Sequence, residues 1–169
     1  MNAEIIKVYE QNVPALRFIG KKYGNNDRVN GSFGKHWGDW FKNGWFTIIE
    51  KQINTNLKTI YEDGDAYIGI MHENSDGQFE YCIGIFLPEN TPVPDGFICY
   101  DFPESKLGVC WVYGKEDNVY MNEVNCVDKL RGQGYSVKNT WCFERYCCPR
   151  FTTPDEKGNI ILDICFYLE

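Results

Sequence analysis

Apolar and polar residues alternate along several short stretches of the chain, and each such stretch predicts a strand. Residues 4–9 (EIIKVY) open the series. LRFIGKKYG, residues 16–24, sets Leu16, Phe18 and Gly20 against Arg17, Ile19 and Lys21. The period then changes. From Phe33 to about Ile53 the apolar positions Phe33, Trp37, Trp40, Phe41, Trp45, Ile48 and Ile49 fall at helical spacing. Ser32 stands at the N-cap position, and Gly44 interrupts the run, which predicts one kinked helix or two pieces. Strands return at 65–73 and 78–88, flanking the hairpin signal NSDG. Two more follow at 96–102 and 106–114. A second helical stretch covers roughly 118–130, with Tyr120, Val124, Val127 and Leu130 as its stripe and Gly132 and Gly134 as its stop. Strands at 140–147 and 159–168 close the chain.

The order of elements repeats. Strand, helix, strand, strand describes residues 4–88, and the same order describes 106–168. The expected fold is α+β, with duplicated βαββ units forming an antiparallel sheet and two main helices on one face. The opposite, concave face between the halves is the expected central ligand cleft. The whole chain, 1–169, is read as a single domain with pseudo-repeat halves at about 1–95 and 105–169.

Composition narrows the function. Net charge is −7 and aromatic residues make up 16% of the chain. An acidic chain repels phosphate backbones, so no direct nucleic-acid binding is expected. The same charge attracts cations. The ring content favours a β-rich fold or a ring-lined pocket. The first residues, MNAEIIKVYE, lack the basic flank and apolar run of a signal peptide, and no window resembles a membrane span, which predicts a cytoplasmic protein with no membrane partner. Eight cysteines are present without a C-x-x-C pair, and the histidines are only His36 and His72. The cysteines are read as buried, reduced thiols, and no metal and no cofactor is expected. No phosphate loop or Ser-His-Asp arrangement is in evidence.

One carboxylate stands out. In WCFERYCCPRF, residues 141–151, Glu144 sits among aromatic rings. Burying an ionised carboxylate is costly without a partner. Strand alternation puts Cys142, Glu144, Tyr146 and Cys148 on one face and Trp141, Phe143, Arg145 and Cys147 on the other, so Arg145 is not the expected partner. Two readings stand side by side. Glu144 meets a cationic ligand with Tyr146 beside it, or it is satisfied by tyrosine hydroxyls or a lysine and organises the sheet. Trp111 and Tyr113 share one strand face, and Tyr67, Gly69 and Met71 share another. Trp37, Trp40 and Trp45 lie on the helix, as core or, for Trp37 and Trp40, at a cleft mouth. Gly69 and Gly84, mid-strand, leave room for a ligand or mark a bulge. Asp163, the other carboxylate inside an apolar strand, is expected to be a sheet-edge or loop-pairing residue.

The stretch from LRGQGY to FERY, ending in the strand DICFYL, resembles the gyrase-inhibitor-like (GyrI-like) effector-binding domain, the ligand-sensing module of many multidrug transcription regulators. The features that match are Gly134–Tyr135, Phe143–Glu144–x–Tyr146 and the terminal strand, with a Trp-rich helix and the YIGI and YCIGIF strands in the first half. The resemblance implies two βαββ units around an aromatic cleft and a buried glutamate, here Glu144, that meets a lipophilic cation. The ligand-binding set expected on this basis is Glu144, Tyr146, Trp111, Tyr113, Trp37, Trp40, Tyr67 and Met71. The function expected is binding of bulky, lipophilic, cationic small molecules as a stand-alone sensor or sequestering protein. Some stand-alone members resemble hydrolases of reactive cyclopropane-bearing compounds, and in that alternative Glu144 is the catalytic residue. No helix-turn-helix precedes the first strand, so a protein partner would be a separate DNA-binding regulator or gyrase.

Overall fold

The computed structural model describes residues 2–53 and 55–169. The alternating stretches are strands: β1 (Glu4–Val13), β2 (Leu16–Gly24), β3 (Tyr67–Glu73), β4 (Phe79–Pro88), β5 (Ile98–Phe102), β6 (Ser105–Gly114), β7 (Val137–Tyr146) and β8 (Ile160–Leu168). The helices are α1 (Gly34–Lys42), α2 (Trp45–Glu50), α3 (Thr55–Ile60), α4 (Glu116–Val119) and α5 (Glu123–Gly132). The fold is α+β and its ladders are antiparallel, as the alternation predicts.

The chain divides into two compact units. One joins the residues up to Pro14 with Glu104–Glu169, and the other is Ala15–Pro103. In the first, the strands run in the order β1-β6-β8-β7, and in the second β3-β4-β2-β5. The opening strand therefore differs from a simple halving of the sequence. β1 pairs along β6, from Glu4 opposite Tyr113 to Val13 opposite Ser105, and so joins the unit built by the second half. Long-range pairing of this kind leaves no local signature, because alternation marks a strand but not its neighbour.

Each unit buries one sheet face under its own helices. In the first, Cys110 and Val112 of β6 and Leu162, Ile164 and Phe166 of β8 pack with Val119, Cys126 and Leu130. In the second, Ile19, Tyr81, Ile83, Ile85 and Leu87 pack with Trp40, Phe46 and Ile49. Each fully buried side chain of this size contributes about 1.5–3 kcal/mol.

Helix ends depart from the sequence reading where backbone conformation decides. Gly44 takes a left-handed φ of 65° and separates α1 from α2, so the run is two pieces. Phe33, not Ser32, is the N-cap of α1, and the Ser32 hydroxyl accepts from the Gly34 amide at 3.3 Å. The second predicted helix is also broken, at Met121, whose φ is 58°. The Asn122 amide donates to the carbonyls of Asn118, Val119 and Tyr120 at 3.1, 3.0 and 2.9 Å and holds that break. α3 falls in a stretch the periodicity leaves unassigned. Among the described residues, no helix is long and apolar enough to cross a membrane.

Gly84 faces Gly20 across the β2–β4 ladder. A Cβ on either residue would run into the carbonyl oxygen of the facing strand, Ile19 for Gly84 and Ile83 for Gly20. Close strand approach, rather than room for a ligand or a bulge, explains Gly84. Gly84→Ala is therefore expected to lower stability by about 3 kcal/mol or more, since overpacking meets rigid backbone. A urea-unfolding curve at unchanged slope checks it.

The far face of the second unit's sheet carries a buried carboxylate, Glu80. Asn74 Nδ2 and the Tyr100 hydroxyl donate to it at 3.0 Å each, His72 Nε2 lies at 2.9 Å and Lys22 Nζ at 3.4 Å. Burial alone would raise its pKa, but these donors outweigh it and bring the group from 4.5 down to about 2. A depressed carboxyl contributes stability that is present above about pH 4.5 and is lost as pH falls through about 2. Glu80→Gln is expected to lower the melting temperature at neutral pH, and the gap from wild type should close between those two values. Calorimetry across the acid range measures this.

Candidate functional site

β7 carries the chemistry, and strand alternation sorts it onto two faces. Glu144 lies opposite Ile164 of β8, and Cys142 lies opposite Phe166. Both β8 residues belong to the core under α5, so Glu144 is on the helix-bearing face of its unit. The sequence reading expected the ligand face to lie opposite the helices; Glu144 stands on the side that the helices cover. Alternation groups residues by face but does not say which face a later helix will cover.

Glu144 is only 7% exposed. The Tyr146 hydroxyl donates to Glu144 Oε2 at 2.8 Å. The Tyr146 ring in turn stands edge-on to Phe151, centroids 4.7 Å apart. From α4 and the turn after it come Glu116 and Tyr120, whose hydroxyl donates to Glu116 Oε1 at 3.4 Å. Burial first, then the charges of Glu116 and Glu144, raise the Tyr120 phenol well above its ordinary range. Burial again, then Glu123 and Glu144, raise the Cys142 thiol. Both phenol and thiol are therefore neutral near neutral pH.

Arg145 points the other way, as alternation requires. Its Nε donates to Asp163 Oδ2 at 2.9 Å, its Nη1 to Gln11 at 2.7 Å and its Nη2 to the Tyr9 hydroxyl at 3.3 Å. Arg150 adds Nε to Asp163 Oδ1 at 2.8 Å and Nη2 to Oδ2 at 2.5 Å. Asp163 and Arg145 are both completely buried. Asp163 is thus a pairing residue, but not at a sheet edge. It sits on β8, between β6 and β7.

The other expected ligand residues separate. Trp111 lies opposite Asp163 on the face away from Glu144, and Tyr113 shares that face. Lys7 Nζ stands 4.3 Å and the Arg150 guanidinium 4.8 Å from the Trp111 ring centroid, so the chain's own cations meet this indole. The Tyr113 hydroxyl donates to Asp155 at 2.6 Å and accepts from Asn159 at 2.8 Å. Trp37, Trp40, Tyr67 and Met71 gather in the second unit, around its own helices. Trp40 is fully buried, and its indole donates to the Tyr23 hydroxyl at 3.1 Å. Trp37 donates to the Tyr81 hydroxyl at 3.0 Å. Tyr67 stacks flat on Phe46, centroids 3.7 Å apart. Met71 is half-buried opposite Tyr81.

Sequence reasoning missed Tyr120, Phe151, Glu116 and Glu123 as members of the Glu144 environment. Helical spacing puts Tyr120 in the stripe of a second helix. Its role depends on the turn at Met121, which no glycine or proline announces. The eight cysteines are free thiols, five of them buried, two half-buried and Cys148 exposed.

The family model for Cass2, described as integron-associated effector binding protein, matches residues 4–165. No curated protein matches the chain. SAV2435, solved bound to tetraphenylphosphonium, is similar over 97% of this chain and 94% of its own, with a TM-score of 0.67 and 17% identity. The C-terminal domain of EcmrR aligns with a TM-score of 0.60 and 13% identity, covering 96% of this chain and 97% of its own. In the EcmrR–DNA complex the match spans 57% of the EcmrR chain. The integron cassette protein VCH_CASS2, from the mobile metagenome of Vibrio cholerae, matches over 100% of both chains at 12% identity and a TM-score of 0.55. At such identities these structures share a fold, the GyrI-like effector-binding fold.

The two carboxylates should answer mutation differently. Asp163→Ala removes the buried carboxylate that Arg145 and Arg150 share and is expected to lower stability by about 3–5 kcal/mol. Glu144→Gln keeps shape and an acceptor for Tyr146, and is expected to melt within about 1 kcal/mol of wild type. Thermal denaturation of both variants beside wild type decides the contrast.

Proposed function

The chain belongs to the Cass2 family of integron-associated effector binding proteins, and we propose that it binds bulky lipophilic cations in the cytoplasm, with Glu144 as the counter-charge. The observation that carries this reading is a carboxylate 7% exposed, held by a tyrosine hydroxyl at 2.8 Å. A neutral donor satisfies the oxygen without cancelling its charge. Burial removes water that would screen that charge, so its attraction for a cation is stronger than at a surface. A lipophilic cation spreads its charge under apolar groups and brings hydrophobic area with it. Rings near the charge, Tyr146, Tyr120 and Phe151, add about 0.5–2 kcal/mol where a cation meets a ring face. The tetraphenylphosphonium held by SAV2435 is a ligand of this chemical kind and supports the reading. The related domain in DNA-bound EcmrR supports a role in sensing, with a separate DNA-binding chain as the partner here.

Titration of the protein with tetraphenylphosphonium, followed by tryptophan emission and calorimetry, tests the proposal. Saturable binding is expected for wild type. Glu144→Gln should weaken it by about 2 kcal/mol or more, roughly thirtyfold. Equal affinity in the two proteins would remove the counter-charge.

A further inference from the structure

β2 departs from its own alternation at one place. Ile19, Lys21 and Tyr23 share a face, and Ile19 and Tyr23 pack into the core under the helices of the second unit. Lys21 is therefore a charged residue at an inward position, and it is half-buried. Its ammonium lies 4.6 Å from the Trp45 ring centroid and 4.5 Å from that of Phe97. It also donates to the Gly96 carbonyl at 2.7 Å. Fully buried Trp40 stands edge-on to both rings, with centroids 5.7 Å and 6.0 Å away, and fixes them relative to each other. Trp45 opens α2 directly after left-handed Gly44, and Phe97 follows Gly96, whose φ is 83°. Two turns thus set two rings about one cation. All of these residues belong to Ala15–Pro103, and none of them is among the groups described around Glu144.

We propose that Trp45 and Phe97, backed by Trp40, form a cation-binding site separate from Glu144, selective for small methylated ammonium ions, and that Lys21 is its built-in competitor. Rings that surround a cation are suited to a quaternary ammonium group, whose methyl groups spread the charge over the ring faces. A lysine is a poorer occupant. Its head is compact and strongly hydrated, with three donors to satisfy. Here one carbonyl accepts from it, and the rings offer faces rather than lone pairs. Burial also lowers its pKa from the ordinary lysine value, as expected where the charged form has given up water. A methylated ammonium ion has no N–H to satisfy and loses less hydration on entry. Lys21, Trp45 and Phe97 are all half-buried, so the site is open to solvent on one side. The lysine stem is long enough to carry its head out to water while β2 stays in place.

The experiment titrates choline into wild type and Lys21→Ala, followed by calorimetry and by the proton resonance of the choline methyl groups. Lys21→Ala is expected to bind choline about tenfold more tightly than wild type. The methyl resonance should move upfield, as it does for protons held over ring faces. No gain in the variant would overturn the proposal. Adding Trp45→Ala to Lys21→Ala should abolish the binding, and binding that persists would refute this place for it. Dimethylbutanol, the neutral isostere with carbon in place of nitrogen, should bind more weakly than choline, and equal binding would refute recognition of charge. A second measurement needs no substitution. Tetramethylammonium should speed the acetylation of Lys21 by acetic anhydride in wild type, read by peptide mass spectrometry, because the ion releases the amine into water. An unchanged or slower rate at Lys21 would overturn its part as competitor.

Discussion

Everything distinctive about β7 depends on how Asp163 is paired. Its carboxylate takes Arg145, completely buried like itself, from the neighbouring strand, and half-buried Arg150 from the loop that follows. A buried and a half-buried guanidinium sharing one buried carboxylate tolerate little displacement, because breaking a buried pair is costly. The pairing fixes β7 against β8 with Arg145 opposite Asp163. Once that residue is pinned to one face, the next residue along must point to the other. The direction of Glu144 is thus set by an ion pair in which Glu144 takes no part.

Two other carboxylates of the chain are buried as well. Asp163 accepts from two guanidinium groups, and Glu80 accepts from several donors, with Lys22 close by. Each is a structural anion whose charge is met by cationic or multiple donors. Glu144 is buried to a similar degree, and a phenol donates to it. Aromatic faces show a parallel division. Trp111 lies beside Lys7 and Arg150, and Trp45 and Phe97 lie beside Lys21, at 4.3–4.8 Å in each case. Cation–π contact is a recurring device of this chain, used internally to fasten strands and loops.

Much of this was legible in the letters. Period-two alternation located the strands to within a few residues, since a half-buried strand must alternate to bury one face. The pairing of Glu144 with Tyr146 on one face, and the exclusion of Arg145, followed from the same rule. The letters FERY and DICFYL point to the family to which the chain belongs. What stayed hidden was long-range or conformational. The pairing of β1 with β6 joins segments about a hundred positions apart, and no local pattern records it. Met121 breaks a helix by adopting φ of 58°, a state its side chain does not advertise. Trp111 and Tyr113 were grouped with Glu144 because rings occupy both faces of the sheet, and only the β6–β8 register separates them.

The break at Met121 also has a mechanical side. α4 spans four residues, too few for helical cooperativity to hold it. Its end is instead clasped by the single side-chain amide of Asn122. The segment that brings Tyr120 toward Glu144 is also anchored by Val119, which is fully buried in the core of its unit. A four-residue helix thus keeps its place by what its end buries and by what one amide clasps, not by its own backbone ladder.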